Sequence, residues 1–224
     1  MTSYYRRLMK DDIRAEYDAS ATRFAEDYRK GKWGSEASMN GRFLAAMRLV
    51  DFAGVKRWLD VGCGPGAFFA VVLRAHGRFS SLVGMDISPC MIEEARKKTF
   101  PPFVSFVVRD IADIPETCDF DLVTMTGVLQ QCAMTPKEAL SCARKALRPG
   151  GLLYFTTKHM GWEEFVSGRL EPERSHSWFD MEELREALRQ AGFGILREGG
   201  LLPATCEFTE PERSHTAYFL AERA

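Results

Sequence analysis

An excess of charge of one sign is the first thing this chain lacks. Its 30 Lys and Arg stand against 31 Asp and Glu, a formal net charge of −1 over 224 residues. No basic surplus is available to grip nucleic acid or an anionic membrane surface, so neither is expected as a partner. Long apolar runs are also missing. The longest uncharged one, GAFFAVVL at 66–73, falls far short of the roughly 20 residues that span a bilayer. The N-terminal stretch MTSYYRRLMKDD has no apolar core of the kind a secretory leader carries, which makes the cytoplasm the expected location. The six cysteines (Cys63, Cys90, Cys118, Cys132, Cys142 and Cys206) include no CxxC pair. In a reducing compartment they read as small buried residues or free thiols. Neither a disulfide frame nor a zinc site is expected, and no metal.

What is present suits one globular domain with room for an appended cap. Hydrophobic residues make up 46% of the chain, enough for a sizeable core. Over 10–30, Ile13, Tyr17, Phe24 and Tyr28 recur near the helical period, and a second helix follows at roughly 36–53. From there strands and helices alternate. RWLDVG (57–62), SLVGMD (81–86), FVSFVVRD (103–110), FDLVTMT (120–126) and LLYFTT (152–157) read as short buried strands. Helices are expected between them. Ser88-Pro89 looks like an N-cap with proline at the first helical position, and Thr135-Pro136-Lys137-Glu138 like a capping box. Asp180 caps a further helix, and FGILRE (193–198) and HTAYFLAE (215–222) are the last two strands. The alternation predicts an α/β fold, a doubly wound and mostly parallel sheet with helices on both faces. In such sheets ligands bind beyond the carboxyl ends of the strands.

Three strand ends carry suitable chemistry. LDVGCGPG (59–66) closes the first strand with Asp60 and with Gly62, Cys63, Gly64 and Gly66. Its glycines let backbone approach a ligand, and a helix N-terminus follows. Asp86 ends the second strand, where a carboxylate can accept both hydroxyls of a ribose. Asp110 with Ile111 ends the third, and a carboxylate beside a free backbone N–H matches the amino group and ring nitrogen of adenine. The glycine loop alone also satisfies the GxGxxA pattern of NAD sites. The ordered set, followed by FDLVTMTGVLQQC and ALRPGGLLYFTT, is more specific.

From about Arg57 to the C-terminus that set resembles the class I S-adenosylmethionine-dependent methyltransferases, most closely the small-molecule branch that includes the quinone-biosynthesis enzymes. YDASATRF (17–24) is similar to that branch's tyrosine-bearing helix over the cofactor. The resemblance implies a seven-stranded sheet whose last strand is antiparallel, a helical lid over 1–53 and a cofactor-binding methyltransferase domain over 54–224. It also implies S-adenosylmethionine as cofactor and a small-molecule methyl acceptor. Asp60 and the glycine loop would hold the methionine end, with Thr126 and Gly127. Asp86 would take the ribose, Ile87 and Met91 would flank the adenine, Asp110 and Ile111 would read its edge, and Tyr17 would lie over the cofactor. Many members carry histidine where this chain has Gln130-Gln131, so Gln131 stands in the position of an orienting or proton-transferring group. The alternatives are an NAD-dependent oxidoreductase, which accounts for the loop and Asp86 only, and a non-catalytic protein of the same fold.

The hexapeptide EPERSH occurs twice, at 171–176 and 210–215. If the final strand is antiparallel, both copies rise from the ligand-bearing rim. They would bring Arg174, Arg213, His176 and His215 toward an acceptor pocket, joined by His159, Trp162 and Trp178, with Trp33 closing it from the N-terminal cap. The three histidines are the candidate bases and the arginines the candidate carboxylate partners. The competing reading is a pair of ordinary solvated polar loops.

Overall fold

The computed structural model describes residues 2–6 and 9–224. Its strands are β1 (Arg57–Val61), β2 (Ser81–Asp86), β3 (Val104–Val108), β4 (Phe120–Thr126), β5 (Leu147–Lys158), β6 (Phe193–Leu202), β7 (Glu207–Thr209) and β8 (Thr216–Arg223). Its helices are α1 (Lys10–Arg23), α2 (Asp27–Lys30), α3 (Glu36–Leu49), α4 (Ala67–Val72), α5 (Pro89–Arg96), α6 (Pro136–Ala146), α7 (Glu163–Val166) and α8 (Met181–Gln190). The strands form one sheet in the order β3-β2-β1-β4-β5-β8-β6-β7. β1 to β5 pair in parallel. β8 lies between β5 and β6 and runs against both.

Apolar side chains explain the two helical layers. On one face Trp58, Phe68, Phe69 and Tyr154 are almost wholly buried with Phe43 of α3. On the other, Phe155 and Phe219 of the sheet share a core with Leu140 of α6 and Leu184 of α8. Each fully buried large side chain of this kind contributes about 1.5–3 kcal/mol. Among the described residues no helix is long and apolar enough to cross a membrane.

The sheet has eight strands where seven were expected. β6 continues to Leu202, turns through 203–206 with Cys206 at φ 59°, and returns as β7 against Gly200–Leu202. Nothing in LLPATCEFTE resembles the Asn-Gly or Asp-Gly signature of a tight hairpin. The expected helix over 10–30 is also two pieces, because the chain is extended at Phe24 (φ −113°, ψ 148°). That break folds α2 back on α1, where the Ser20 hydroxyl donates to the carbonyls of Lys30 (2.8 Å) and Arg29 (3.1 Å).

The first three helices dock on the sheet domain through named polar contacts. Asp18 of α1 accepts from Ser88 Oγ (2.5 Å) and Cys90 N (3.2 Å), so it caps α5 from outside. Lys30 pairs with Glu94, and Lys98 pairs with Asp27 while donating to the Pro65 carbonyl (2.7 Å). α3 approaches closely enough that a Cβ on Gly41 would lie 1.5 Å from the Pro203 carbonyl oxygen.

Candidate active site

A cavity opens beyond the carboxyl ends of β1 to β4, where β1 has β2 on one side and β4 on the other. Counted together with the solvent at its open mouth, the space inside it comes to about 1230 Å³. Asp60, Gly62, Cys63 and Gly64 form one wall. Asp86, Ile87, Met91, Asp110 and Ile111 form another, and Thr126, Gly127, Gln130 and Gln131 a third. Tyr17 and Trp33 close it from the helical cap, and His176 stands at its edge.

Backbone conformation shapes the floor. Gly62 has φ 68°, and a Cβ there would lie 2.5 Å from Val128 Cγ2, so only glycine keeps the loop this close to the wall. Gly66 does not line the cavity: it opens α4 with φ 76° and rests on Phe106, 2.9 Å from where its Cβ would be. Its place is in the packing beneath the loop.

The three acids differ in environment. Asp86 is 9% exposed. One of its oxygens accepts from Gly64 N and the other from Ser88 N, both at 2.9 Å. Each oxygen retains a lone pair for a ligand. Burial pushes this carboxyl up to about 6 despite those two bonds. Asp60, 2% exposed, accepts from the Thr124 hydroxyl (2.5 Å), which in turn accepts from Trp58 Nε1 (2.8 Å). Burial pushes Asp60 up to about 7. Asp110 accepts from Ala112 N (2.7 Å) and meets Lys10 Nζ of α1 at 3.2 Å. Burial raises the Tyr17 hydroxyl, and the Asp86 charge adds to it.

The Asp60 shift carries a sign that can be tested. A carboxyl whose folded pKa lies above its unfolded one favours folding at low pH, and the contribution is lost as pH rises through about 7. Asn at this position would still accept from Thr124. Asp60→Asn is therefore expected to gain stability over wild type by about 2 kcal/mol between pH 5.5 and pH 8. Paired thermal melts check this, and a stability difference that does not change with pH would contradict it.

The two EPERSH copies rise from one rim, since Lys158 at the end of β5 pairs with Thr216 at the start of β8. The Trp178 ring lies between His176 (6.5 Å between centroids) and His215 (6.2 Å). The N-terminal segment secures the first copy: Arg6 donates to the Ser175 carbonyl (2.8 Å) and to Gln131 Oε1 (3.4 Å). Several residues proposed from sequence for the acceptor pocket nevertheless stand outside the cavity. Arg174 and Arg213 are exposed and do not line it, because both loops turn their longest polar side chains to solvent. His159 is fully buried elsewhere, with Nε2 against the Ser214 carbonyl (2.5 Å) and Nδ1 accepting from Gly161 N (3.2 Å). With both nitrogens engaged it fastens one loop to the other and has none free for an acceptor. Trp162 and Trp178 pack with Phe165.

His215 is also outside the lining. Burial first, and then the charges of Lys158 and Arg42, push it down to about 3. His176 is pushed down to about 4, by burial and then by Lys158. Both are held neutral and are weak proton acceptors at neutral pH. Among the described residues no cluster of His, Cys, Asp and Glu is arranged to hold a metal.

Gln130 was not singled out alongside Gln131, yet it is 6% exposed and lines the cavity, and among the described residues its Oε1 has no hydrogen-bond partner. Arg42 and Lys158 were also missed. An arginine inside the apolar face of α3 and a lysine ending the buried run LLYFTT were the available signals.

Comparison with known proteins agrees with this geometry. A family profile described as "Methyltransferase domain" matches residues 9–198. The chain is 24% identical over 209 residues to the ubiquinone biosynthesis O-methyltransferase of Hydrogenovibrio crunogenus, covering 85% of each chain. It is 31% identical over 163 residues to the malonyl-[acyl-carrier protein] O-methyltransferase of Enterobacter lignolyticus, covering 69% of this chain and 59% of that one. Some curated relatives are much longer: the match spans 33% of the Candida albicans mitochondrial ubiquinone biosynthesis O-methyltransferase. The fold is shared with a Bradyrhizobium japonicum N-methyltransferase solved with S-adenosyl-L-homocysteine, at TM-score 0.68, 18% identity, and 95% and 99% coverage of the two chains.

Proposed function

The chain belongs to the family of class I S-adenosylmethionine-dependent methyltransferases, and from that premise we propose that it binds S-adenosylmethionine in the cavity and methylates a small molecule at oxygen or nitrogen. One observation carries the reading: three acids ending successive strands, Asp60, Asp86 and Asp110, converge on a single cavity floored by the glycine loop. The residues present fit the cofactor. A Cβ on Gly62 would fill the cradle, and Gln130 Oε1 is a buried acceptor awaiting a donor.

Asp86 would accept from the ribose hydroxyls, and Ile87 and Met91 would flank the adenine. Asp110 and the Ile111 N–H would read the adenine edge. Asp60 with Gly62, Cys63 and Gly64 would hold the amino-acid end beside Thr126. When bound, S-adenosylmethionine supplies an electrophilic methyl carbon on a sulfonium sulfur. The work left to the chain is alignment and exclusion of water, and restraint of two reactants can supply about 7–11 kcal/mol. Residues 1–53 would act as the lid, with Tyr17 and Trp33 over the cofactor. Gln131, fixed by Arg6, would orient the acceptor. His176 is the one proposed base at the cavity, and its lowered pKa suits an acceptor that has little proton to lose, such as an anion or a free amine. The charge balance favours a small acceptor over nucleic acid.

Isothermal titration is expected to show S-adenosylhomocysteine binding at micromolar or better affinity, with NAD producing no heat. Tight NAD binding without S-adenosylhomocysteine binding would return the oxidoreductase reading to first place.

A further inference from the structure

Arg42 and Lys158 do not themselves line the cavity but stand next to residues that reach it: Arg42 against Trp33, and Lys158 two residues along β5 from Thr156, the strand partner of Thr126. Arg42 is 4% exposed. Its guanidinium donates to Ser38 O (2.7 Å), Ser38 Oγ (2.8 Å) and Thr216 Oγ1 (3.3 Å), and lies 4.7 Å from the Trp33 ring centroid. All these partners are neutral. Lys158, half-buried at the carboxyl end of β5, places Nζ 2.9 Å from His215 Nδ1 and 5.3 Å from the Trp178 ring centroid. Among the described residues neither cation forms an ion pair within 4.0 Å. The carboxylate whose charge acts on Lys158 is Glu173, which is 75% exposed and faces His176 at 3.5 Å. Buried charges are costly unless paired: burial first, and then the charge of Arg42, push Lys158 down to about 7, so an anion beside it would favour its charged form.

The surroundings point the same way. Thr156 and Lys158 share one face of β5, two residues apart, and Thr216 of β8 stands opposite Lys158. The Thr156 hydroxyl is fully buried and has no hydrogen-bond partner among the described residues. Thr156 is in turn opposite Thr126, which lines the cavity. A row of donors therefore leads from the cavity wall outward along the strand ends. Trp33 joins its two ends, with one edge over Gly127, 2.7 Å from where a Cβ would be, and its face under Arg42. The repeated loops complete the setting. His215 comes from one copy and His176 from the other, and both are kept neutral, so neither adds positive charge beside Lys158 and Arg42 nor supplies an anion to them.

We propose that the methyl acceptor carries a carboxylate, held at the carboxyl end of β5 by Lys158 with Arg42 as its second counter-charge and the Thr156 hydroxyl as a donor. The carboxylate is the recognition group. This rests on the methyltransferase reading for the adjoining cofactor, and the two can be separated in one set of titrations. S-adenosylhomocysteine binding tests that reading. For the acceptor site, the preformed S-adenosylhomocysteine complex is titrated with 4-hydroxybenzoate, 4-hydroxycinnamate and glutarate, each beside its neutral amide, on wild type and on Lys158→Met. The expected result is that at least one carboxylate binds tenfold or more tightly than its amide. In Lys158→Met that preference should fall at least tenfold while S-adenosylhomocysteine affinity stays within twofold. Carboxylates that bind wild type no better than their amides overturn the proposal, whatever the variant does. A preference that survives in Lys158→Met overturns the role of that lysine.

Discussion

Replacing Asp86 with alanine is expected to weaken S-adenosylhomocysteine binding by about ten- to a hundredfold. The lower bound follows from losing one hydrogen bond to a charged acceptor, worth about 1.5–3 kcal/mol. The structure argues for the upper end. The same carboxylate that would meet the ribose also accepts from Gly64 N and Ser88 N. Removing it releases the glycine loop and the first turn of α5 together. Asp86→Asn sharpens the test, because an amide keeps one acceptor and presents an N–H₂ to a backbone donor. It should bind worse than its size suggests. Wild-type affinity should also fall as pH drops below about 6, where Asp86 takes up its proton, and the asparagine variant should lose that dependence. Titration calorimetry from pH 5 to 8 checks both points. Unchanged affinity in folded Asp86→Ala would reduce the residue to a loop fastener.

The second large effect concerns the cap. Gly41→Ala should lower the melting temperature by about 6–12 °C. Alanine gains roughly 1 kcal/mol of helix propensity over glycine, so a free helix would be stabilised. Here the new Cβ would lie 1.5 Å from the carbonyl oxygen of Pro203 and 2.6 Å from its carbon. Backbone cannot rotate away as a side chain tip can. Overpacking of this kind costs about 1–3 kcal/mol in ordinary sites, and a clash with main chain should exceed that range. A net loss near 3 kcal/mol corresponds to about 2–4 °C per kcal/mol in a chain of this size. Gly34→Ala is the control, since nothing lies within 4 Å of its Cβ position, and it should melt within a degree or two of wild type. A Gly41→Ala protein as stable as the control would mean α3 does not sit on the β6–β7 turn.

Local chemistry was the legible part of this sequence. β2 and β4 occupy the residues that their apolar runs mark out, 81–86 and 120–126. Ser88 caps α5, Thr135 and Glu138 form a reciprocal box, and Asp180 caps α8, each through the hydrogen bond its side chain suggests. The strand-end acids were legible for the same reason: a parallel sheet sends every strand's carboxyl end to one rim. Longer-range consequences were not. β7 exists only because it is laid against β6, and three residues carry no pattern of their own. Arg174 and Arg213 look like ligands by type, but exposure is settled by how each loop turns. Arg42 is brought against β5 and β8 only once α3 is packed over them, where it meets Tyr154 and Thr216, residues more than a hundred positions away in the chain.

The position of β8 has a bearing on how the molecule comes into being. It is the last of the eight strands to leave the ribosome, yet it is inserted between β5 and β6, with its first six residues all buried. Until residues 216–223 emerge, β5 and β6 each offer an unpaired edge with nothing between them. Assembly of that half of the sheet must then wait for the end of this segment's synthesis, and its pairing with β5 closes a loop of some 60 residues when it comes, a slow step for a nascent chain. The exposed edges in the interval are the surfaces a holding chaperone would cover.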